Sequence, residues 1–122
     1  MEQKKILIVD DEKDILSMLE KRLTAEGYRV ITANNGTDAL MSAKSKHPDL
    51  IILDVLTPGI EGGEVGERLK ADPETHGIPV IFLTALLSKA EEEKYGPMIG
   101  GNITFAKPFE PQELLAQVKK LL

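Results

Sequence analysis

The chain has 122 residues, of which 42% are apolar and 29% are charged, and its net charge is −5 with an isoelectric point near 5.1. This length suits one domain with a real hydrophobic core, so we expect residues 1–122 to form a single domain. The acidic balance argues against direct binding of nucleic acid, which needs a basic face. With no cysteine and only two histidines, disulfides and Cys-based zinc sites are excluded, and any metal would need oxygen ligands.

The N-terminal residues lead directly into the first predicted strand. Met1 to Lys5 are followed by a short apolar run and then by acidic residues, a pattern that is neither a signal peptide nor a membrane span. We therefore expect a cytoplasmic protein that does not contact membranes. No internal repeat or flexible linker is visible along the chain.

Strand-like runs alternate with amphipathic stretches in chain order. The first helix is predicted from Ile15 to Leu23, with Asp11 as a candidate cap and Gly27 as its stop. Later helices are predicted around Ala39–Ala43, Val65–Leu69, Ser88–Tyr95 and Leu114–Leu121. Short runs rich in β-branched residues predict five strands, at Lys4–Val9, Arg29–Ala33, Leu50–Leu53, Ile78–Leu83 and Ile103–Ala106.

This alternation predicts an α/β fold. Right-handed crossovers between parallel strands place helices on both faces of an open, doubly wound sheet of the flavodoxin-like (βα)5 type. We expect the strand order 2-1-3-4-5, in which the chain reverses direction between the first and third strands. Sheets of this kind bind ligands in the crevice at the carboxyl ends of the strands beside that reversal.

Acidic residues stand at two of those strand ends. Asp10 and Asp11 follow the first strand, and Asp54 follows the third. One acid would suffice to cap a helix, but three carboxylates facing one another repel unless a cation neutralises them. An all-oxygen site with few protein carboxylates suits Mg²⁺. Thr84 and Lys107, at the ends of the fourth and fifth strands, are expected to complete the rim.

At these residues the chain resembles the receiver domain of bacterial two-component response regulators, over essentially its whole length. The segments that carry the resemblance are Ile8–Glu12, Leu53–Gly62, Pro79–Ala85 and Lys107–Phe109. The resemblance implies a signalling switch that takes a phosphoryl group from a histidine kinase or a histidine phosphotransfer protein. Such a domain catalyses only its own phosphotransfer and autodephosphorylation.

Roles for individual residues follow from the resemblance. Asp54 would be the phosphoacceptor, and Thr84 and Lys107 would contact the phosphoryl group. Asp10, Asp11, Asp54 and the carbonyl of Leu56 would hold Mg²⁺. Pro108 raises the chance of a cis peptide bond that aims Lys107 inward. Output would pass to a downstream protein target or an attached output domain, or through phosphorylation-dependent dimerisation.

Several positions depart from the family pattern. The family usually has an aromatic residue three positions before the lysine, where this chain has Thr104; Phe105, one position later, should face the opposite side of the sheet. Gly96-Pro97 and Gly100-Gly101 predict an unusual or more mobile fourth helix. Leu56 and Leu86 would crowd an attacking water, which predicts a long-lived phosphoryl state.

Three other functions share parts of this pattern. A hydrolase of the haloacid-dehalogenase type would have a second Asp two positions after the nucleophile, where Leu56 stands. A flavodoxin-like nucleotide binder would have a first loop rich in Ser, Thr and Gly, whereas Asp10, Asp11 and Glu12 would repel phosphate. A receiver-like docking module that works without phosphorylation is the remaining alternative, and the complete acidic set argues against it.

Overall fold

A computed structural model describes residues 3–54, 62–84, 98–99 and 102–122. Four helices lie in these ranges: α1 (Lys13–Ala25), α2 (Gly36–Lys46), α3 (Gly62–Ala71) and α4 (Pro111–Leu121). Six strands lie there as well: β1 (Lys5–Val9), β2 (Arg29–Ala33), β3 (Leu50–Asp54), β4 (Val80–Thr84), β5 (Met98–Ile99) and β6 (Asn102–Ala106). No helix in the described ranges is long and apolar enough to cross a membrane.

The strands form one sheet in the order β2-β1-β3-β4-β6-β5. The five longer strands run parallel, and their order is the predicted 2-1-3-4-5, because the fifth predicted strand is β6. The two-residue strand β5 was not predicted. It pairs antiparallel with β6 at the edge of the sheet, and a run of two residues is too short to produce a recognisable sequence pattern.

The first helix begins one residue later than the candidate cap implied. Glu12, not Asp11, occupies the N-cap position of α1, and its side chain makes no capping hydrogen bond. Gly27 follows the helix with φ of 94°, a left-handed conformation that glycine adopts without strain, as its predicted role as a stop requires.

Two apolar layers enclose the sheet. Alternate strand residues such as Leu7, Leu53 and Phe82 pack with α2 and α3, whereas Ile8, Ile52 and Leu83 pack with α1 and α4. The apolar residues of β1, β3 and β4 are almost completely buried on both faces of the sheet, which explains why these runs are continuously apolar. The layers pack against β1, β3, β4 and β6, whose carboxyl ends lie side by side at one edge of the sheet.

The register between β4 and β6 shows on which face of the sheet the side chains of Thr104 and Phe105 lie. Thr104 pairs with Phe82, and Phe105 pairs with Leu83. Phe105 packs against the layer formed with α1 and α4, so the prediction that it faces away from the position of Thr104 is confirmed. Thr104 itself is buried.

Some predictions fall on residues that the structure does not describe. The fourth predicted helix at 88–95, the two glycine-containing pairs at 96–97 and 100–101, Leu56 and Leu86 all lie outside the described ranges. The remaining predicted helices correspond to α1 to α4. The predicted start of the fourth strand at Ile78 is two residues early, because the Ile78 N–H donates to the Thr75 carbonyl in a turn.

Candidate functional site

Four of the predicted site residues meet at the carboxyl edge of the sheet. Asp10 directly follows β1, Asp54 ends β3, Thr84 ends β4, and Lys107 directly follows β6. Because these strands are parallel neighbours in the order β1-β3-β4-β6, their ends lie side by side. Parallel pairing of these strands therefore brings together residues that are far apart in the sequence.

Lys107 connects the acidic residues. Its Nζ lies 2.8 Å from Asp10 Oδ2, 3.1 Å from Asp54 Oδ2 and 3.2 Å from Glu12 Oε1. The Lys107 backbone N–H donates to the Thr84 carbonyl at 2.9 Å, which ties the end of β6 to the end of β4. The Lys107–Pro108 peptide bond is cis, as predicted. One ammonium with three N–H donors thus contacts three carboxylates.

Asp10 is the most buried carboxylate of the site. None of its surface is exposed, and its Oδ1 accepts a hydrogen bond from the Glu12 backbone N–H at 2.9 Å. Burial raises the pKa of Asp10, and the nearby Asp54 charge adds to this, although the hydrogen bonds from Lys107 and Glu12 oppose it. The two hydrogen bonds therefore offset the burial of ionised Asp10 only in part, and an added cation would stabilise that form further.

The same cluster also raises the pKa of Lys107, which favours the charged form of the lysine. Burial alone would lower the pKa of Lys107, but its hydrogen bonds to Asp10 and Asp54 together outweigh burial and raise that pKa above its ordinary value. Lys107 is therefore a permanent cation at physiological pH.

Glu12 is a member of the site that the sequence did not identify. The sequence shows Glu12 next to Asp10 and Asp11 but does not show that it contacts Lys107. Only the tertiary fold brings the two side chains together. Carboxylate oxygens of Asp10, Asp11 and Glu12 lie within 4.8 Å of one another, a spacing that allows them to hold a metal ion. Asp10 is buried, whereas Asp11 and Glu12 are exposed.

These oxygens fit a hard divalent cation. Carboxylates are the donors that Mg²⁺ takes in proteins, and exposed carboxylates leave room for the water ligands that it usually keeps. The burial of Asp10, whose ionised form a cation would stabilise, is a second reason to expect a cation here. Leu56, whose carbonyl was predicted as a ligand, lies outside the described residues.

Asp54 and Thr84 lie at adjacent strand ends. Asp54 pairs with Leu83 across the β3–β4 register, one residue before Thr84. Asp54 is 3% exposed and Thr84 is 1% exposed, so any group that reaches them must enter the crevice. A carboxylate held beside a fixed ammonium can act as a nucleophile toward an electrophile whose oxygens carry negative charge.

A sequence model of the response regulator receiver domain matches residues 6–119. The chain belongs to this family. As a receiver domain it is 42% identical, over 98% of its length, to the alkaline phosphatase synthesis transcriptional regulatory protein PhoP of Bacillus subtilis, of which the match covers 48%. The chain spans about half the length of the first curated relatives that it matches.

Solved receiver domains share its fold. The chemotaxis response regulator CheY4 of Vibrio cholerae superposes with a TM-score of 0.85 at 30% identity, over 99% of this chain and 100% of the other. The receiver domain of a sensor histidine kinase from Pseudomonas aeruginosa superposes with a TM-score of 0.84 at 28% identity, over 98% of both chains. In that protein a magnesium ion is coordinated in the active site cleft.

Proposed function

We propose that this receiver domain is the phosphoacceptor switch of a two-component phosphorelay. Asp54 accepts a phosphoryl group from a histidine kinase or a histidine phosphotransfer protein in a Mg²⁺-dependent reaction, and the modification changes the conformation of an output surface. The observation that carries the proposal is the buried contact of Lys107 with both Asp10 and Asp54 at the carboxyl edge of the sheet.

The transfer step exchanges one bond to phosphorus for another. A carboxylate oxygen of Asp54 attacks the phosphorus of phosphohistidine, the P–O bond forms, and the P–N bond breaks. The electron pair of the P–N bond returns to the imidazole nitrogen, which can then take up a proton. The Lys107 ammonium neutralises charge on the phosphoryl oxygens, and the Thr84 hydroxyl donates to one of them once the group is attached.

The oxygens of Asp10, Asp11, Asp54 and the Leu56 carbonyl would hold Mg²⁺. When bound, the cation neutralises the carboxylates and the phosphoryl oxygens that they would otherwise repel. Asp10 makes this dependence strong, because it is fully buried and its pKa is raised by burial.

The acyl phosphate formed on Asp54 is reversible. Water returns the carboxylate and inorganic phosphate, so the only chemistry of the domain is its own phosphotransfer and autodephosphorylation. Leu56 and Leu86 would restrict the attacking water and prolong the phosphorylated state. Loss of the phosphoryl label within seconds of donor removal would contradict this part of the proposal.

Partners of the switch follow from the same proposal. The upstream partner is a histidine kinase or phosphotransfer protein, and the downstream partner is a protein target or an attached output domain, with phosphorylation-dependent dimerisation as a further route. The relative from Bacillus subtilis is a transcriptional regulatory protein about twice as long as this chain, which supports an attached output domain. We place the protein in the cytoplasm, without direct contact of this domain with nucleic acid or membrane.

The test is intact mass after incubation with acetyl phosphate, with and without Mg²⁺. Wild type should gain one phosphoryl group only when Mg²⁺ is present, Asp54→Asn should gain none, and Asp14→Asn, which removes an exposed acid of α1, should behave as wild type. A gain in Asp54→Asn, or no gain in wild type under any condition, would contradict the proposal. The second result would favour a docking module that works without phosphorylation.

A further inference from the structure

The side chain of Glu12 contacts a distant lysine instead of capping the helix at whose start it lies. Glu12 stands at the N-cap of α1, yet its side chain caps nothing there. Instead, its Oε1 lies 3.2 Å from Nζ of Lys107, a residue 95 positions away in the sequence. The Glu12 side chain is 57% exposed, whereas those of Asp10 and Asp54 are 0% and 5% exposed. Glu12 therefore places a negative charge at the mouth of the crevice.

Glu12 is also the partner that Lys107 releases most easily. The ammonium has three N–H donors and three carboxylate acceptors, so a phosphoryl oxygen can gain an N–H only if one acceptor gives it up. Release of Asp10 would leave a buried charge without its cation, which is costly. Glu12 has the longest contact and is open to water, which can replace the lysine as its hydrogen-bond donor.

The negative charge of Glu12 repels an anionic phosphoryl donor that binds in the crevice. A phosphoryl group that binds Lys107 comes close to Glu12 and competes with it for the ammonium, so the negative charge of the donor is repelled by that of Glu12. A unit charge about 6 Å from a dianion in water weakens its binding about tenfold, and that of a monoanion about threefold. Donors with more negative charge are therefore penalised more.

We propose that Glu12 is a specificity-determining residue that discriminates against small, highly charged acyl phosphates as phosphoryl donors. This inference rests on the proposed phosphoacceptor function. A phosphohistidine on a partner protein is less affected, because contacts outside the crevice supply binding energy that offsets the repulsion, whereas a free acyl phosphate has only its phosphate and acyl group to bind with. Glu12 would thus keep the switch responsive to its partner protein.

The experiment compares two small donors on wild type, Glu12→Gln and Asp14→Asn at neutral pH. Acetyl phosphate is a dianion at this pH and phosphoramidate is a monoanion. Initial rates of mass gain are measured at Mg²⁺ concentrations that saturate each variant, at low salt and at about 0.5 M salt. Asp14→Asn removes the same charge from the first turn of α1, where Asp14 makes no described contact with Lys107.

Glu12→Gln should phosphorylate faster with both donors, by about tenfold with acetyl phosphate and about threefold with phosphoramidate, and high salt should reduce the difference. Asp14→Asn should leave the ratio of the two rates as in wild type. An unchanged ratio in Glu12→Gln, equal gains with both donors, or a fall in rate would overturn the inference. If wild type takes up no phosphoryl group from either donor, the proposed function itself fails.

Discussion

At the residue scale, Lys107 has the largest influence on the site. Its ammonium lies within 3.1 Å of Asp10 and Asp54, whose side chains are almost completely buried, and no buried side-chain polar atom in the described ranges lacks a hydrogen-bond partner. A buried ion pair gives little net stability, but loss of one partner is expensive because the other charge remains. The lysine therefore matters for folding as well as for phosphotransfer.

Replacement of Lys107 by Met tests this dependence. The substitution keeps the apolar stem but removes the cation, so Asp10 and Asp54 repel each other without compensation. We expect the free energy of unfolding to fall by about 3 kcal/mol in Mg²⁺-free buffer. Urea denaturation measures this change. A Lys107→Met/Asp10→Asn double variant should recover part of the loss, and a Lys107→Met protein as stable as wild type would contradict the prediction.

At the element scale, a close contact joins α3 to β4. Gly66 of α3 lies against the ring of Phe82, and a Cβ atom at Gly66 would be 2.8 Å from Phe82 Cζ. Phe82 is 7% exposed and packs in the layer that also contains Val65 and Leu69 of α3, so its ring has little room to move. The glycine is therefore required by packing, although it lies inside a helix where its intrinsic propensity is poor.

Gly66→Ala should consequently destabilise the protein. Alanine favours the helix by about 1 kcal/mol, but the clash with Phe82 should cost about 2 kcal/mol, which leaves a net loss of about 1 kcal/mol. In a Phe82→Leu background the same change should be stabilising, because the smaller side chain leaves room for the methyl group. Thermal or urea unfolding of wild type, Gly66→Ala, Phe82→Leu and the double variant measures the coupling between the two positions. Equal effects of Gly66→Ala in both backgrounds would exclude the contact as the cause.

An ion pair also connects α2 to the turn that follows α3. Lys44 Nζ lies 2.8 Å from Asp72 Oδ2. The hydrogen bond from Lys44, together with one from the Glu74 backbone N–H, lowers the pKa of Asp72 below its ordinary value of 3.8. A carboxylate whose pKa is lower in the folded state contributes stability above that ordinary value and loses it as the pH falls through the folded value.

The stabilisation from this pair should therefore vanish in acid. We expect Lys44→Gln to be slightly less stable than wild type at neutral pH, and we expect this difference to shrink as the pH falls below 3.8 and through the folded pKa of Asp72. Lys119→Gln, which removes a lysine from an exposed pair with Glu26 at 3.6 Å, is the matched control and should have a smaller effect. A stability difference for Lys44→Gln that persists undiminished in acid would rule out the ion pair.

At the scale of the whole molecule, the site lies where four strands end and draws its charges from separate parts of the chain. Because the carboxylates come together only in the folded state, Mg²⁺ should bind the folded chain far better than the unfolded chain. The unfolding equilibrium of the entire domain should then respond to the metal.

Addition of Mg²⁺ should raise the free energy of unfolding of wild type by about 2.7 kcal/mol at a concentration a hundredfold above its Kd. Asp10→Asn should respond much less, because it lacks the buried carboxylate. Thermal denaturation at increasing Mg²⁺ measures the effect, and Asp14→Asn provides the control with one charge fewer outside the site. Identical shifts in wild type and Asp10→Asn would show that the metal binds elsewhere.

Much of this architecture follows from local sequence patterns. Buried parallel strands need apolar residues on both faces, so β1, β3 and β4 are recognisable as continuous apolar runs, and the helices between them by their spacing. Handedness and alternation restrict the sheet to a few doubly wound orders, of which 2-1-3-4-5 is one, and parallel pairing brings the carboxyl ends of β1, β3, β4 and β6 to one edge. The grouping of Asp10, Asp54, Thr84 and Lys107 was therefore predictable.

Other features depend on contacts that no local pattern encodes. The Glu12–Lys107 ion pair, the raised pKa of Asp10 and the fit of Phe82 against Gly66 each join residues from distant parts of the chain. The two-residue strand β5 is recognisable only by its antiparallel pairing with β6. The fold class and the chemical identity of the candidate site residues follow from periodicity and strand ends, so local sequence patterns are enough to predict them. Which carboxylates share Lys107 and how deeply each is buried depend on packing between elements, so these features are visible only in the folded structure.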